Sequence, residues 1–113
     1  MIVHGKERLF KLTVGASLAI AELCPNGDLD RLSEVLKGST AQIMSNAVKI
    51  IVALQHGYED ARAVDEPGYV PDYMTEAELY AIDMDDFKAF EREAVAVYNG
   101  DSSPTVDVES KKK

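Results

Sequence analysis

The longest regular pattern in this chain of 113 residues runs from Ser39 to Tyr58. Apolar residues recur there at intervals of three and four, which places them on one face of a helix. Ile50 and Val52 fall off that face, so the apolar arc is wider than a half-exposed helix needs. Ser39 and Gln42 have the spacing of a capping box and mark the start of the helix. The pattern predicts a central core helix that carries no chemistry.

The length and composition predict one folded domain in a reducing compartment. A chain of this size buries enough surface to fold without disulfides, and 46% of its residues are hydrophobic. Its one cysteine, Cys24, has no partner for an internal disulfide, which favours the cytoplasm. We expect no signal peptide, because Lys6, Glu7 and Arg8 precede any apolar run, and no membrane span.

The net charge of −8 comes entirely from the second half of the chain. Residues 1–63 contain seven Lys or Arg and seven Asp or Glu, whereas residues 64–113 contain five and thirteen. An acidic half argues against nucleic-acid binding, which requires a basic surface to displace counterions. It fits either a basic protein partner or a role in solubility alone.

The remaining patterns predict an α+β, mostly helical fold. A glycine turn at His4-Gly5-Lys6 is typical of a β-hairpin, with the return strand over residues 8–12. Short polar turns then separate helices that must pack against the central one. The expected single domain, residues 1–100, comprises a hairpin over 1–13 and helices over about 14–24, 28–37, 40–62, 75–82 and 84–99, and residues 101–113 form a disordered polar tail.

Local capping explains the acidic clusters better than catalysis or metal binding does. Asp83, Asp85 and Asp86 lie at the start of the last helix, where the helix dipole and free amides favour carboxylates. Neither they nor the sequence around Asp28 has the ligand spacing of a calcium loop. No glycine-rich phosphate loop is present, and Cys24 follows a helix rather than beginning one. We therefore predict no catalytic, cofactor-binding or metal-binding residues, and no enzyme.

The order of elements resembles that of a known family. A short hairpin over residues 2–13 leads into a helix with Ala19-Ile20-Ala21-Glu22-Leu23, and an apolar helix follows with Ala47-Val48-Lys49-Ile50-Ile51-Val52-Ala53-Leu54. An acidic helix with Phe87-Lys88-Ala89-Phe90-Glu91 then precedes the polar tail. Over residues 1–100 this pattern is similar to the small tail assembly chaperones of long-tailed bacteriophages and prophages. The resemblance rests on element order, length and hydrophobic pattern, since the family has no catalytic motif.

The resemblance implies a non-enzymatic chaperone in the host bacterial cytoplasm that is absent from the mature virion. Its partner would be the tape measure protein, with the tail tube protein as a further candidate. Such a chaperone must offer apolar surface to a long helix. The candidate partner-binding residues are Met44, Ile50, Val52, Tyr58, Tyr69 and Tyr73.

Two other functions remain open from the sequence. One is a structural head–tail or tail component, which would stay in the finished virion. The other is an acidic inhibitor that mimics DNA, although the neutral first half of the chain disfavours it. The apolar residues off the central stripe fit either self-association or a well-covered monomer core.

Overall fold

The protein is described here by a computed structural model that covers residues 2–100. It is mostly helical, with an N-terminal two-stranded hairpin, which confirms the predicted fold class. The tail predicted over 101–113 lies outside the described residues. The elements are β1 (Ile2–Val3), β2 (Lys6–Glu7), α1 (Val14–Ala21), two 3₁₀ turns (Pro25–Gly27 and Leu29–Arg31), α2 (Leu32–Val35), α3 (Thr40–Asp65), α4 (Glu76–Tyr80) and α5 (Met84–Tyr98).

The hairpin is shorter than the sequence predicts, and the predicted return strand over residues 8–12 is wrong. His4 and Gly5 both adopt positive φ, 49° and 83°, as a two-residue turn of the primed type requires. This turn pairs Val3 with Lys6 directly, so the second strand ends at Glu7. The chain then leaves the hairpin and crosses α3, where the Lys11 amide donates to the Leu54 carbonyl at 3.0 Å.

Helix α3 is the centre of the fold, as its pattern predicts. The Ser39 hydroxyl accepts a hydrogen bond from the Gln42 amide at 3.2 Å, so the predicted N-cap is confirmed. The helix continues to Asp65 and ends shortly before Pro67. The core lies between α3 and the elements packed on it, and its most deeply buried side chains are Val3, Ile20, Ile51, Leu54, Met74 and Phe90.

The helix predicted over 28–37 is instead a 3₁₀ turn followed by the single turn of α2. The Asp28 carboxylate caps this start by accepting from the Asp30 amide at 2.9 Å. At the other end, the Asn46 side chain donates to the Val35 carbonyl at 2.8 Å. A side chain of α3 thus satisfies a carbonyl that a longer α2 would have bonded internally.

The other predicted helices are present, with small differences at their ends. Helix α1 stops at Ala21 rather than residue 24. Helix α4 begins with a capping box, in which Thr75 and Glu78 exchange both hydrogen bonds. Helix α5 begins after Asp83, whose side chain makes no capping hydrogen bond. The positions of α2, α3 and α5 determine where the main surface groove lies.

Gly57 allows α1 and the preceding segment to approach α3 closely. A Cβ atom at this position would lie 2.6 Å from the Lys11 carbonyl oxygen and 2.8 Å from Thr13 Oγ1. Because one of these atoms belongs to the backbone, the clash cannot be relieved by rotating a side chain. The absence of a side chain at Gly57 therefore sets the distance between the two elements.

We expect Gly57→Ala to lower the free energy of unfolding by about 1–3 kcal/mol in urea denaturation. The clash outweighs the gain of up to about 1 kcal/mol in helix propensity. Gly15→Ala in α1 is the matched control, because its Cβ would meet nothing closer than Thr13 Oγ1 at 3.9 Å. Equal stability changes for the two variants would contradict this account.

Candidate functional site

An open apolar groove runs between α2, α3 and α5. It has a volume of about 330 Å³, and its walls are mainly aliphatic. Leu36 and Val95 line it while remaining 38% and 50% exposed, so residues 2–100 leave this apolar surface uncovered. The lining residues are Leu32, Ser33, Leu36, Ala47, Ile50, Ile51, Glu91, Ala94, Val95, Tyr98 and Asn99.

The groove exists because α2 is short and because small residues face each other on the longer helices. Ala47 on α3 and Ala94 on α5 are both buried and lie in the groove wall. Helix α5 directs Phe87 and Phe90 into the core. Glu91 and Val95 fall on the neighbouring strip of its surface and reach the groove. The result is a concave apolar surface with one carboxylate in its lining.

A polar cluster forms a second notable site, where α3 holds the extended segment over residues 66–75. Gln55 is 1% exposed, and its amide makes two hydrogen bonds to this segment. Its Nε2 donates to the Asp72 carbonyl at 3.0 Å, and its Oε1 accepts from the Met74 amide at 2.8 Å. A helix side chain thereby pairs the segment as a neighbouring strand would.

Glu59 lies one turn further along α3 and extends this pairing. Its Oε1 accepts from the Asp72 amide at 2.8 Å and from the Tyr69 hydroxyl at 2.5 Å. The hydrogen bond to Glu59 raises the pKa of Tyr69 above its ordinary value, and burial raises it further. Tyr73 donates to Asp60 in the same way, and its pKa is also raised by that hydrogen bond.

Arg8 connects this cluster to the N-terminal hairpin. Its side chain is 3% exposed, and it pairs with Glu78 at 2.7 Å and with Asp72 at 3.4 Å. Burial opposes ionisation of Glu78, but hydrogen bonds from Arg8 and from the Thr75 amide outweigh it and lower its pKa. A hydrogen bond from Lys6 is the main cause that lowers the pKa of Asp72, with Arg8 adding to it. The cluster therefore favours ionised carboxylates.

The predicted partner-binding residues do not form one surface. Ile50 lies in the groove, although it is only 9% exposed. Met44 and Val52 are half-buried and pack against the core. Tyr69 and Tyr73 belong to the polar cluster, and Tyr58 is half-buried on α3.

Sequence reasoning missed most of the groove. It described the last helix by the stretch from Phe87 to Glu91 and gave no role to Val95 or Tyr98. The spacing of Glu91, Val95 and Tyr98 by four and three was the available signal for a second strip.

The titratable groups outside the cluster have ordinary structural roles. Within residues 2–100, no group of three or more His, Cys, Asp or Glu side chains is placed to hold a metal ion. His4 and His56 each place Nε2 within hydrogen-bond distance of a backbone carbonyl, at 3.1 and 2.7 Å. Cys24 is buried, and burial raises the pKa of its thiol, which disfavours the reactive thiolate.

No helix in the described part of the chain is long and apolar enough to cross a membrane. Comparison of the chain with family models, curated proteins and solved structures gives no match. The groove and the polar cluster are therefore interpreted from their own geometry.

We expect Gln55→Ala to lower the free energy of unfolding by about 2–3 kcal/mol, because the buried Met74 amide loses its partner and the Asp72 carbonyl keeps only its hydrogen bond from Arg8. Gln42→Ala on the exposed first turn of α3 is the matched control, with an expected change within about 0.5 kcal/mol. Denaturation in urea measures both. Similar values for the two variants would refute a structural role for Gln55.

The lowered pKa values of Glu78 and Asp72 predict a loss of stability in acid. Each carboxylate has a folded-state pKa below its ordinary value of 4.5 or 3.8, so its contribution is complete above that value. The contribution disappears as the pH falls through the folded-state pKa. We expect Glu78→Gln to reduce the pH dependence of unfolding below pH 4.5, with Glu93→Gln on α5 as the control. An unchanged slope for Glu78→Gln would contradict the ion-pair account.

Proposed function

We propose that this chain is a non-enzymatic tail assembly chaperone that binds the tape measure protein of a long-tailed phage or prophage. The supporting observation is the uncovered apolar groove between α2, α3 and α5. A chaperone of this kind holds apolar helical segments until assembly, and a groove between helices is a common way to bind an amphipathic helix. The family resemblance in the order of the elements supports the same proposal.

The size of the groove sets what it can hold. A volume of about 330 Å³ accommodates roughly two large aliphatic side chains. A partner helix would present them three or four residues apart, which matches the spacing of one helix face. The contact is small, so the chaperone binds reversibly and releases its partner as the tail tube forms.

Charge indicates which helices bind best. Residues 64–100 contain ten Asp or Glu and two Lys or Arg, and Glu91 lies in the groove lining itself. The acidic second half of the chain, with Glu91 in the groove lining, attracts an apolar helix segment flanked by Lys or Arg and repels acidic segments. The proposed mechanism is thus apolar capture in the groove, with electrostatic selection by Glu91 and by the net negative charge.

An acidic DNA mimic is less well supported by the same charges. Four of the ten carboxylates in residues 64–100 form ion pairs within the chain, namely Glu66, Asp72, Glu76 and Glu78. A DNA mimic requires rows of unpaired carboxylates at the surface. A structural role in the virion is distinguished by mass spectrometry of purified particles, in which the chaperone would be absent.

The first experiment is co-expression of the chain with the tape measure protein encoded beside it. We expect the wild-type chain to keep that protein soluble and to bind it, and Val95→Lys to weaken binding at least tenfold. Lysine at this position places a charge and a long side chain in the groove, while the half-exposed position leaves the core intact.

Val70→Lys is the matched control, because Val70 is 80% exposed and does not line the groove. Circular dichroism melting verifies that both variants fold. A folded wild-type chain that leaves the tape measure protein insoluble and unbound would overturn the proposed function. Equal binding by the two variants would overturn the assignment of the groove.

A further inference from the structure

Helix α1 has apolar surface on both sides, and the described part of the chain covers only one of them. Its eight residues carry no charge. Ala16 and Ile20 are 3% and 0% exposed and pack into the core, whereas Val14 and Leu18 on the other side are 79% and 64% exposed. A helix that is apolar all round is normally covered all round. The exposed apolar side chains on the outer face of α1 therefore indicate a contact with another molecule.

The exposed apolar surface is large enough for a weak protein contact. Leu12, just before α1, is 37% exposed and adds to the surface of Val14 and Leu18. Together with the small exposed residues Gly15 and Ala19, these side chains present roughly 400 Å² of apolar surface. A two-fold contact through this face would bury roughly 800 Å² in total, which is below the range of stable specific interfaces and fits a weak, reversible contact.

Charge favours a second copy of the chain as the occupant of this face. Two copies with a net charge of −8 repel each other wherever their acidic parts meet. Residues 1–63 are electrically neutral, and α1 is uncharged, so a contact there avoids that repulsion. A basic partner gains no electrostatic attraction from an uncharged face and would bind more strongly to the acidic residues 64–100.

Symmetry supplies the matching surface. In a two-fold dimer the same patch serves on both copies, so an apolar face meets an equally apolar one. We propose that the outer face of α1 forms a weak homodimer, in which the two α1 helices cross near Leu18. The contact uses none of the groove residues and is independent of the proposed chaperone function.

Sedimentation velocity over about 1 to 500 μM tests the dimer directly. We expect the wild-type chain to dimerise reversibly in the micromolar range and Leu18→Glu and Leu18→Lys each to weaken dimerisation at least tenfold. Val64→Glu is the matched control, because Val64 is 82% exposed near the end of α3. Mixing the two Leu18 variants should restore association, since residue 18 of one copy faces residue 18 of the other.

A cysteine cross-link provides a second test. We expect Gly15→Cys to form a covalent dimer on mild oxidation, because Gly15 is exposed one turn from Leu18 and a Cβ there would meet nothing closer than Thr13 Oγ1 at 3.9 Å. The native Cys24 is buried and gives no such product in the wild-type chain. Val64→Cys is the control position, and melting by circular dichroism verifies the fold of every variant.

Several results would overturn the dimer. One is a wild-type chain that stays monomeric at 500 μM, and another is a Leu18→Glu variant that dimerises like the wild type. Loss of tape measure binding in Leu18→Glu, with a monomeric wild type, would assign the face to the partner instead. Val95→Lys separates the two proposals, because it should lose the partner while retaining the dimer.

Discussion

The structure depends on how α3 satisfies the backbone of a segment that is neither helix nor strand. Residues 66–75 lie across α3, and the Gln55 and Glu59 side chains take up hydrogen bonds that would otherwise be unmade in a buried place. An unpaired buried backbone group costs about 1–3 kcal/mol, so these contacts decide whether the segment can lie there at all. The segment in turn determines the position of α4. Arg8 connects the hairpin to both, through Asp72 in the segment and Glu78 in α4.

The features predicted correctly are those that depend on residues close together in the chain. The spacing of apolar residues identified α3 and α5, and the cap at Ser39 marked where α3 begins, because both depend on neighbours in the chain. The sequence predicted too long a hairpin because the length of the hairpin is set by the turn at His4 and Gly5 and by the hydrogen bond from Lys11 to α3. No pattern within residues 8–12 reveals that distant contact.

The polar cluster and the groove could not be predicted from the sequence, because both depend on contacts between residues far apart in the chain. Gln55 and Glu59 look like the polar side of an exposed helix end, and their burial follows only from the path of residues 66–75. A glycine within a helix normally lowers helix stability, but at Gly57 the missing side chain allows the segment before α1 to pack closely against α3. The groove arises where α2 ends early, and that end depends on Asn46 from another helix.

The bond between Arg8 and Glu78 spans 70 residues of sequence, which has a consequence for synthesis. At about 5–20 residues per second, roughly 4 to 14 seconds pass between the appearance of these two side chains on the ribosome. Until then Arg8 lacks Glu78, and Val3 lacks the part of the core that lies on α4 and α5. The hairpin, although it is translated before the helices it contacts, is thus among the last elements to reach its final contacts.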